Sequence, residues 1–261
     1  MLKEEQWVEI NDLVVTSLDA AEAVWNVHGN ELALDESLHR MRAMAALEKK
    51  SEKVPSRIPS HPIVDRDVTL IDEFIAIVAD IRGSSVHLTH AVPSSVQKIF
   101  SGLQRVYYET SALLPAIEKT LGYEGARVTE YLGDGVLALL KPDKANEGVS
   151  LKAALRAAKN CIDSTLKIVN THLKNRYNLA DLSIGIGMGY SKTLVSVVGL
   201  EGAGHAKAIG ECVYRATKLA DGRNEIIIDE RMRKNWPKSS KGSMVFTPTK
   251  RTNGASGYII S

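Results

Sequence analysis

Apolar positions follow two rhythms along this chain. In residues 1 to about 53 they recur every three or four places: Trp7, Ile10, Val14, Leu18, Ala21 and Trp25. After Gly29-Asn30 the same spacing returns through Leu34, Leu38, Met41, Met44 and Leu47, ending in Glu48-Lys49-Lys50. Each run puts a narrow apolar stripe on a helix, to pack on a main domain or pair with a second copy. Val54 to Pro62 holds three prolines and no period. It reads as a linker over residues 54–66, with the folded domain in residues 67–261.

Past the linker the rhythm alternates between strands and helices. Phe74 to Ala79 is apolar without interruption, which predicts a central strand buried on both faces. Ser94-Ser95 can cap a helix running to about Leu121, with Val96, Ile99, Phe100, Leu103 and Val106 on its apolar side and Pro115 expected to kink or split it. Arg127 to Leu140 reads as a hairpin turning at Gly133-Asp134-Gly135. A long helix is predicted from about Ser150 to Arg176. Leu182 to Gly189 is a strand with glycine at alternate positions, where another backbone comes close. Leu194 to Leu200 is expected as a further strand, Gly199 to Gly204 as a loop, and Glu211 as the start of a helix. Short strands follow at Glu225 to Asp229, Met244 to Phe246 and Gly257 to Ile260. The order strand, helix, hairpin, helix, strand is that of an α+β, ferredoxin-like βαββαβ core, here with an N-terminal helical extension.

Composition narrows the function classes. The 261 residues are 44% hydrophobic and 25% charged, as in an ordinary globular protein, and the net charge is only +2. The basic residues are scattered, so no nucleic-acid stripe or polybasic membrane anchor is expected, and the strands lack the aromatic and basic pattern of a ferredoxin-like RNA binder. No apolar run approaches the ~18 residues of a membrane span. The mixed start Met1-Leu2-Lys3-Glu4-Glu5 is unlike a signal peptide. Cys161 and Cys212 fall in helical segments and read as buried free thiols of a cytoplasmic protein. The seven histidines show no metal-ligand spacing, and Gly185-Ile186-Gly187-Met188-Gly189 has the period of a strand, not of a dinucleotide loop.

Two acids stand out. Asp80 ends the buried strand F-I-A-I-V-A-D-I-R-G-S-S, and Asp134 sits at the tip of the hairpin E-Y-L-G-D-G-V-L-A-L. If the two strands are neighbours, the carboxylates form a hard-oxygen site suited to Mg²⁺ or Mn²⁺.

These two stretches, with L-S-I-G-I-G-M-G-Y and A-K-A-I-G-E-C-V-Y-R-A-T-K-L-A, resemble in order four blocks of the class III nucleotidyl cyclases, over roughly residues 72–261. The resemblance implies cyclisation of a nucleoside triphosphate to a 3′,5′-cyclic monophosphate and pyrophosphate. It implies that Asp80 and Asp134, with the Ile81 carbonyl, hold two Mg²⁺ or Mn²⁺ ions per site. It also implies a head-to-tail homodimer with composite sites between subunits, because each block is present once.

The departures from the family concern the substrate. The base-reading position before the hairpin acid is Glu130, and its partner before the helix block is Lys207. The family pairs lysine with aspartate or threonine for adenine, and glutamate with cysteine for guanine. The transition-state Asn and Arg of the family are replaced by Tyr214 and Lys218, beside Arg215, and Lys250 stands about where a triphosphate-binding lysine is expected. Glu130 as acceptor and Lys207 as donor suit uracil, then cytosine, and guanine also fits by hydrogen bonding. Tyr214 adds bulk that shortens a pocket; Tyr107 and Tyr108 are other candidates for filling it and otherwise read as core. In this the chain is similar to the pyrimidine cyclases of Pycsar anti-phage systems, whose cUMP or cCMP activates a cyclic-nucleotide-sensing effector. UTP is expected ahead of CTP. The alternatives are a conventional guanylate or adenylate cyclase, and a catalytically degenerate nucleotide-binding or dimerisation module.

Overall fold

The computed structural model describes residues 27, 52–90, 95–96, 102–238, 242 and 244–261. The helical extension expected over residues 1–53 lies almost wholly outside the described residues, as does the expected cap at Ser94.

Ten strands and six α-helices are described. Strands β1 (Lys53–Pro55) and β2 (Ile63–Asp65) form a small antiparallel hairpin. Strand β3 (Leu70–Ile81) leads to helix α1 (Ser84–Thr89) and then to α2 (Gly102–Gly122). Strands β4 (Arg127–Tyr131) and β5 (Gly135–Leu140) follow, then α3 (Glu147–Asn160), a π-helical turn at Cys161–Thr165, and α4 (Leu166–Tyr177). Strands β6 (Ile184–Val198) and β7 (His205–Gly210) precede α5 (Glu211–Leu219) and β8 (Glu225–Ile228). Helix α6 (Glu230–Lys234), β9 (Phe246–Lys250) and β10 (Ser256–Ile260) close the chain.

The main sheet has the order β4-β5-β3-β6-β8-β10-β9, with β7 added alongside β6. Only β6 and β8 run parallel; the other pairs are antiparallel. Strand β3 shows why the sheet is central. Its period-two alternation sends Ile75, Ile77, Ala79 and Ile81 to one buried face and Phe74, Ala76 and Val78 to the other. Helices α2, α3 and α4 cover the first face through residues such as Leu113, Ile117, Leu151 and Val169. Helix α5 and the β1–β2 hairpin cover the second through Cys212, Ala216, Val54, Ile58 and Val64.

The alternate glycines of β6 set how closely α5 lies. A Cβ on Gly187 would collide with the Ala216 carbonyl oxygen, and one on Gly185 with that of Ala220. At Gly189 it would lie 2.7 Å from the Cys212 carbonyl oxygen. The helix therefore rests on bare strand backbone, and the small residues Cys212 and Ala216 on its underside allow the same approach from above.

Several expectations need correction. Residues 54–66 are not a linker. Val54 and Val64 pair across the hairpin and are buried with Ile58, while the prolines fall at the end of β1 and in the turn, where no ladder donor is needed. Pro115 does not split α2. Ser111, whose carbonyl would have bonded to residue 115, is exposed, so water can serve it, and buried Leu113, Leu114, Ile117 and Leu121 hold both halves. The two strands expected at Leu182–Gly189 and Leu194–Leu200 are one. The polar interruption Ser191-Lys192-Thr193 pairs with Phe74, Glu73 and Asp72 of β3, so the ladder runs through it. Strand β7 and helix α1 carry too few apolar residues for either rhythm to reveal them.

Candidate active site

The β3 strand delivers Asp80 to the sheet's interior edge, where it pairs with Gly135 of β5 on one side and Gly185 of β6 on the other. The hairpin tip places Asp134 immediately before Gly135, and the Ile81 N–H donates to the Asp134 carbonyl oxygen at 3.4 Å. Gly133 takes a φ of 70°, the left-handed turn that a side chain resists. Gly135 is needed for a different reason: a Cβ there would sit 2.9 Å from Asp80 Oδ1.

The two carboxylates are close enough to feel each other. Burial, and next the charge of Asp134, push the Asp80 carboxyl up to about 6 from 3.8, although Arg82 pulls the other way. Arg82 donates to Asp80 Oδ2 at 2.7 Å and to the Ala220 carbonyl oxygen at 3.3 Å. The Ser84 hydroxyl, at the start of α1, donates to Asp134 Oδ2. The sequence pattern alone does not single out Arg82 and Ser84 as contacts of the two acids. Their position two and four places after Asp80 was the available signal.

No cluster of three or more His, Cys, Asp or Glu side chains that could cage a metal exists among the described residues. The donor chemistry still fits a hard divalent cation. Mg²⁺ commonly takes one or two carboxylates and completes its shell with water and substrate phosphate, and a cation would offset both the burial and the Asp134 charge that raise Asp80.

Glu130 and Lys207 are also brought together. Lys207 Nζ donates to Glu130 Oε2 at 2.5 Å, with both side chains half-buried. This contact reports on the shape of the sheet. Glu130 pairs with Leu137, Leu137 with Val78, and Val78 with Gly187, whereas Lys207 pairs with Ser196. On a straight strand Gly187 and Ser196 would lie roughly 30 Å apart. The β6–β7 hairpin must therefore curl back over the sheet to set Lys207 on Glu130.

The polar residues of α5 form two further groups. Tyr214 is 66% exposed, and Lys218 Nζ lies 5.8 Å from its ring centroid. Arg215 donates to Glu211 at 2.6 Å and lines a cavity of about 440 Å³ with Lys250, Glu230 and Tyr258. Below it, Asp229 is buried and accepts from the Met232 and Tyr190 N–H groups; burial raises its carboxyl to about 6 despite those bonds. Among the described residues no hydrogen bond or ion pair joins the Asp80–Asp134, Glu130–Lys207 and α5 groups within one chain. Tyr108 packs against Tyr177 with ring centroids 5.1 Å apart and borders the core, as expected, whereas Tyr107 is largely exposed.

Neither a protein-family model nor a curated protein matches the sequence. Solved structures do match the fold. The adenylyl cyclase CyaB from P. aeruginosa superposes with a TM-score of 0.58 at 15% identity, over 74% of this chain and 96% of that one. The guanylate cyclase domain of RhGC from Catenaria anguillulae, in complex with GTP, gives 0.53 at 16% identity, over 73% and 96%. The catalytic core of a rhodopsin-guanylyl cyclase with converted specificity, in complex with ATPαS, gives 0.54 at 16%, over 74% and 97%. Shared by adenylyl and guanylyl enzymes alike, this is the class III cyclase catalytic fold, and the described chain has it.

Proposed function

We propose that the protein is a nucleotidyl cyclase acting on a pyrimidine nucleoside triphosphate, with UTP ahead of CTP. The observation that carries the substrate choice is the Glu130–Lys207 pair, which matches neither the adenine nor the guanine pattern of the resemblance. On binding, the pair exchanges its mutual contact for the base edge. Glu130 accepts from the N3–H of uracil, and Lys207 donates to a flanking carbonyl.

In the reaction the ribose 3′ oxygen attacks the α-phosphorus, the 3′ proton leaves, and pyrophosphate departs to give the 3′,5′-cyclic monophosphate. Asp80 and Asp134, with the Ile81 carbonyl, would hold Mg²⁺ or Mn²⁺, which supplies acidification of the 3′ hydroxyl and neutralisation of the triphosphate when bound. The protein's own part is orientation. Arg82 and Ser84 fix the two carboxylates, and the attack is intramolecular, so positioning accounts for much of the barrier lowering.

The site is completed by a second copy of the chain. Tyr214 and Lys218 project from α5, and among the described residues no hydrogen bond or ion pair joins them to their own Asp80–Asp134 pair. Exposed Val198, Leu200 and Ile209 on the β6–β7 hairpin add apolar surface for a partner to cover. Tyr214 and Lys218, with Arg215 and Lys250 behind them, then serve the triphosphate held by the opposite subunit. The cyclic product is a second messenger in antiviral defence, read by a cyclic-nucleotide-sensing effector. No described helix is long and apolar enough to cross a membrane, in keeping with a cytoplasmic enzyme.

Purified protein incubated with each of the four ribonucleoside triphosphates and Mn²⁺ tests the reading. Cyclic UMP as the main product supports it; cyclic AMP or cyclic GMP alone refutes the pyrimidine assignment. A second reading, a silent nucleotide-binding module, draws on the Arg82 guanidinium seated on Asp80, and inactivity with all four triphosphates would establish it.

A further inference from the structure

Helix α3, helix α6 with the segment after it, and strand β9 enclose a cavity of about 650 Å³ that shares no lining residue with the groups described above. One wall carries Lys152, Arg156 and Lys159; the other carries Arg233 and Lys238; no carboxylate is among the described lining residues. Five cations around one hollow are a strong local excess on a chain whose net charge is +2. Arg156 is engaged by Glu124 through Nε and Nη2 at 3.1 and 2.7 Å. The other four form no ion pair among the described residues. The floor is aromatic: Trp236 and Phe246 meet edge to face with centroids 5.6 Å apart, and the Arg233 guanidinium lies 4.4 Å from the Phe246 centroid.

A solvated helix face accounts for Lys152, Arg156 and Lys159, which recur at helical spacing. It does not account for an opposing wall that adds two more cations and a tryptophan where acids would relieve the repulsion. Clustered cations over an aromatic surface are the chemistry that holds phosphate and stacks a flat base. The volume is that of small-ligand sites, roughly 300–1,000 Å³, and suits one nucleotide better than a strand. We propose that this cavity binds a free nucleotide, its phosphate among the lysines and its base against Trp236. The site is separate from the Asp80–Asp134 pair and stands whether or not the chain cyclises triphosphates.

The test uses the full chain carrying Trp7→Phe and Trp25→Phe, so that Trp236 is the remaining tryptophan. AMP and UMP are titrated in EDTA while its emission is followed. The expected result is a saturable change with a Kd below about 1 mM. Lys152→Glu or Arg233→Glu should weaken it about tenfold or more with the unfolding midpoint kept, and Lys152→Ala serves if the charge reversal disturbs folding. Inorganic phosphate should bind at least about tenfold more weakly than AMP, since stacking on the aromatic floor contributes. Asp80→Ala should leave the titration unchanged. Absence of saturation, equal affinity for inorganic phosphate, binding of a thymidylate oligomer but not of mononucleotides, or loss of the signal in Asp80→Ala would each overturn the proposal.

Discussion

Asp80 and Gly135 face each other across the β3–β5 ladder with no room for a methyl group between them: a Cβ on Gly135 would stand 2.7 Å from the Ala79 carbonyl oxygen and 2.9 Å from Asp80 Oδ1. Gly135→Ala should therefore displace the Asp80 carboxylate, lose product formation and cost roughly 1–3 kcal/mol by overpacking. Gly133→Ala meets no neighbour but must adopt left-handed backbone, at about 1–2 kcal/mol. Denaturant unfolding and turnover measured on both variants separate the two. Gly135→Ala with normal activity would show that Asp80 does not need this position.

Asp80→Asn and Asp134→Asn remove one charge each from a crowded pair. Product formation should fall more than about a hundredfold, the several kcal/mol that a bound metal contributes to charge stabilisation. The fold should hold, because the desolvation and mutual repulsion of the pair are relieved. Turnover within tenfold of the parent protein would remove the carboxylates from the chemistry.

In the proposed function Glu130 and Lys207 read the base. The double change Glu130→Lys with Lys207→Asp recreates the adenine pattern of the resemblance and should move preference toward ATP by about tenfold or more in relative kcat/KM. The readout is competition between UTP and ATP, which a merely structural role for the ion pair would leave unmoved.

Asp229 links stability to pH. Its folded carboxyl titrates at about 6 against 3.8 for the free group. The folded state thus binds the proton more tightly. The associated stability is full below about pH 4 and is lost as pH rises through about 6, up to about 3 kcal/mol in all. Asp229→Asn should flatten that part of the profile in denaturant titrations between about pH 4 and 7.5. Asp80, held at a similar value, leaves a residual slope of the same sign. An unchanged profile in the variant would show that Asp229 is not the titrating group.

Much of this architecture was legible because the core obeys simple periods. Phe74 to Ala79 read as buried on both faces, and each alternate residue does enter a different core. The glycines at 185, 187 and 189 read as a close backbone approach, and α5 makes it. The two acids read as neighbours, and the β3–β5 ladder sets Asp80 opposite Gly135, the residue after Asp134. What escaped was long-range. The prolines of 54–62 imitate a linker locally, and only pairing of Val54 with Val64 turns them into a hairpin. Ser191-Lys192-Thr193 looked like the end of a strand because its polar residues find their partners in Asp72 and Glu73, far away in the chain. Arg82 and Ser84 offered only their nearness to Asp80 in the chain, since their contacts depend on where the turn aims them.

Strand β6 begins at Ile184, passes opposite Asp80 at Gly185 and continues without a break to Ser196, opposite Lys207. The acid pair and the Glu130–Lys207 pair of one chain are thus tied to a single continuous strand. Inserting or deleting one residue between 186 and 195 would invert the faces beyond that point and part Lys207 from Glu130. Exchange of a side chain at 207 should therefore be tolerated where a change in the strand's length is not.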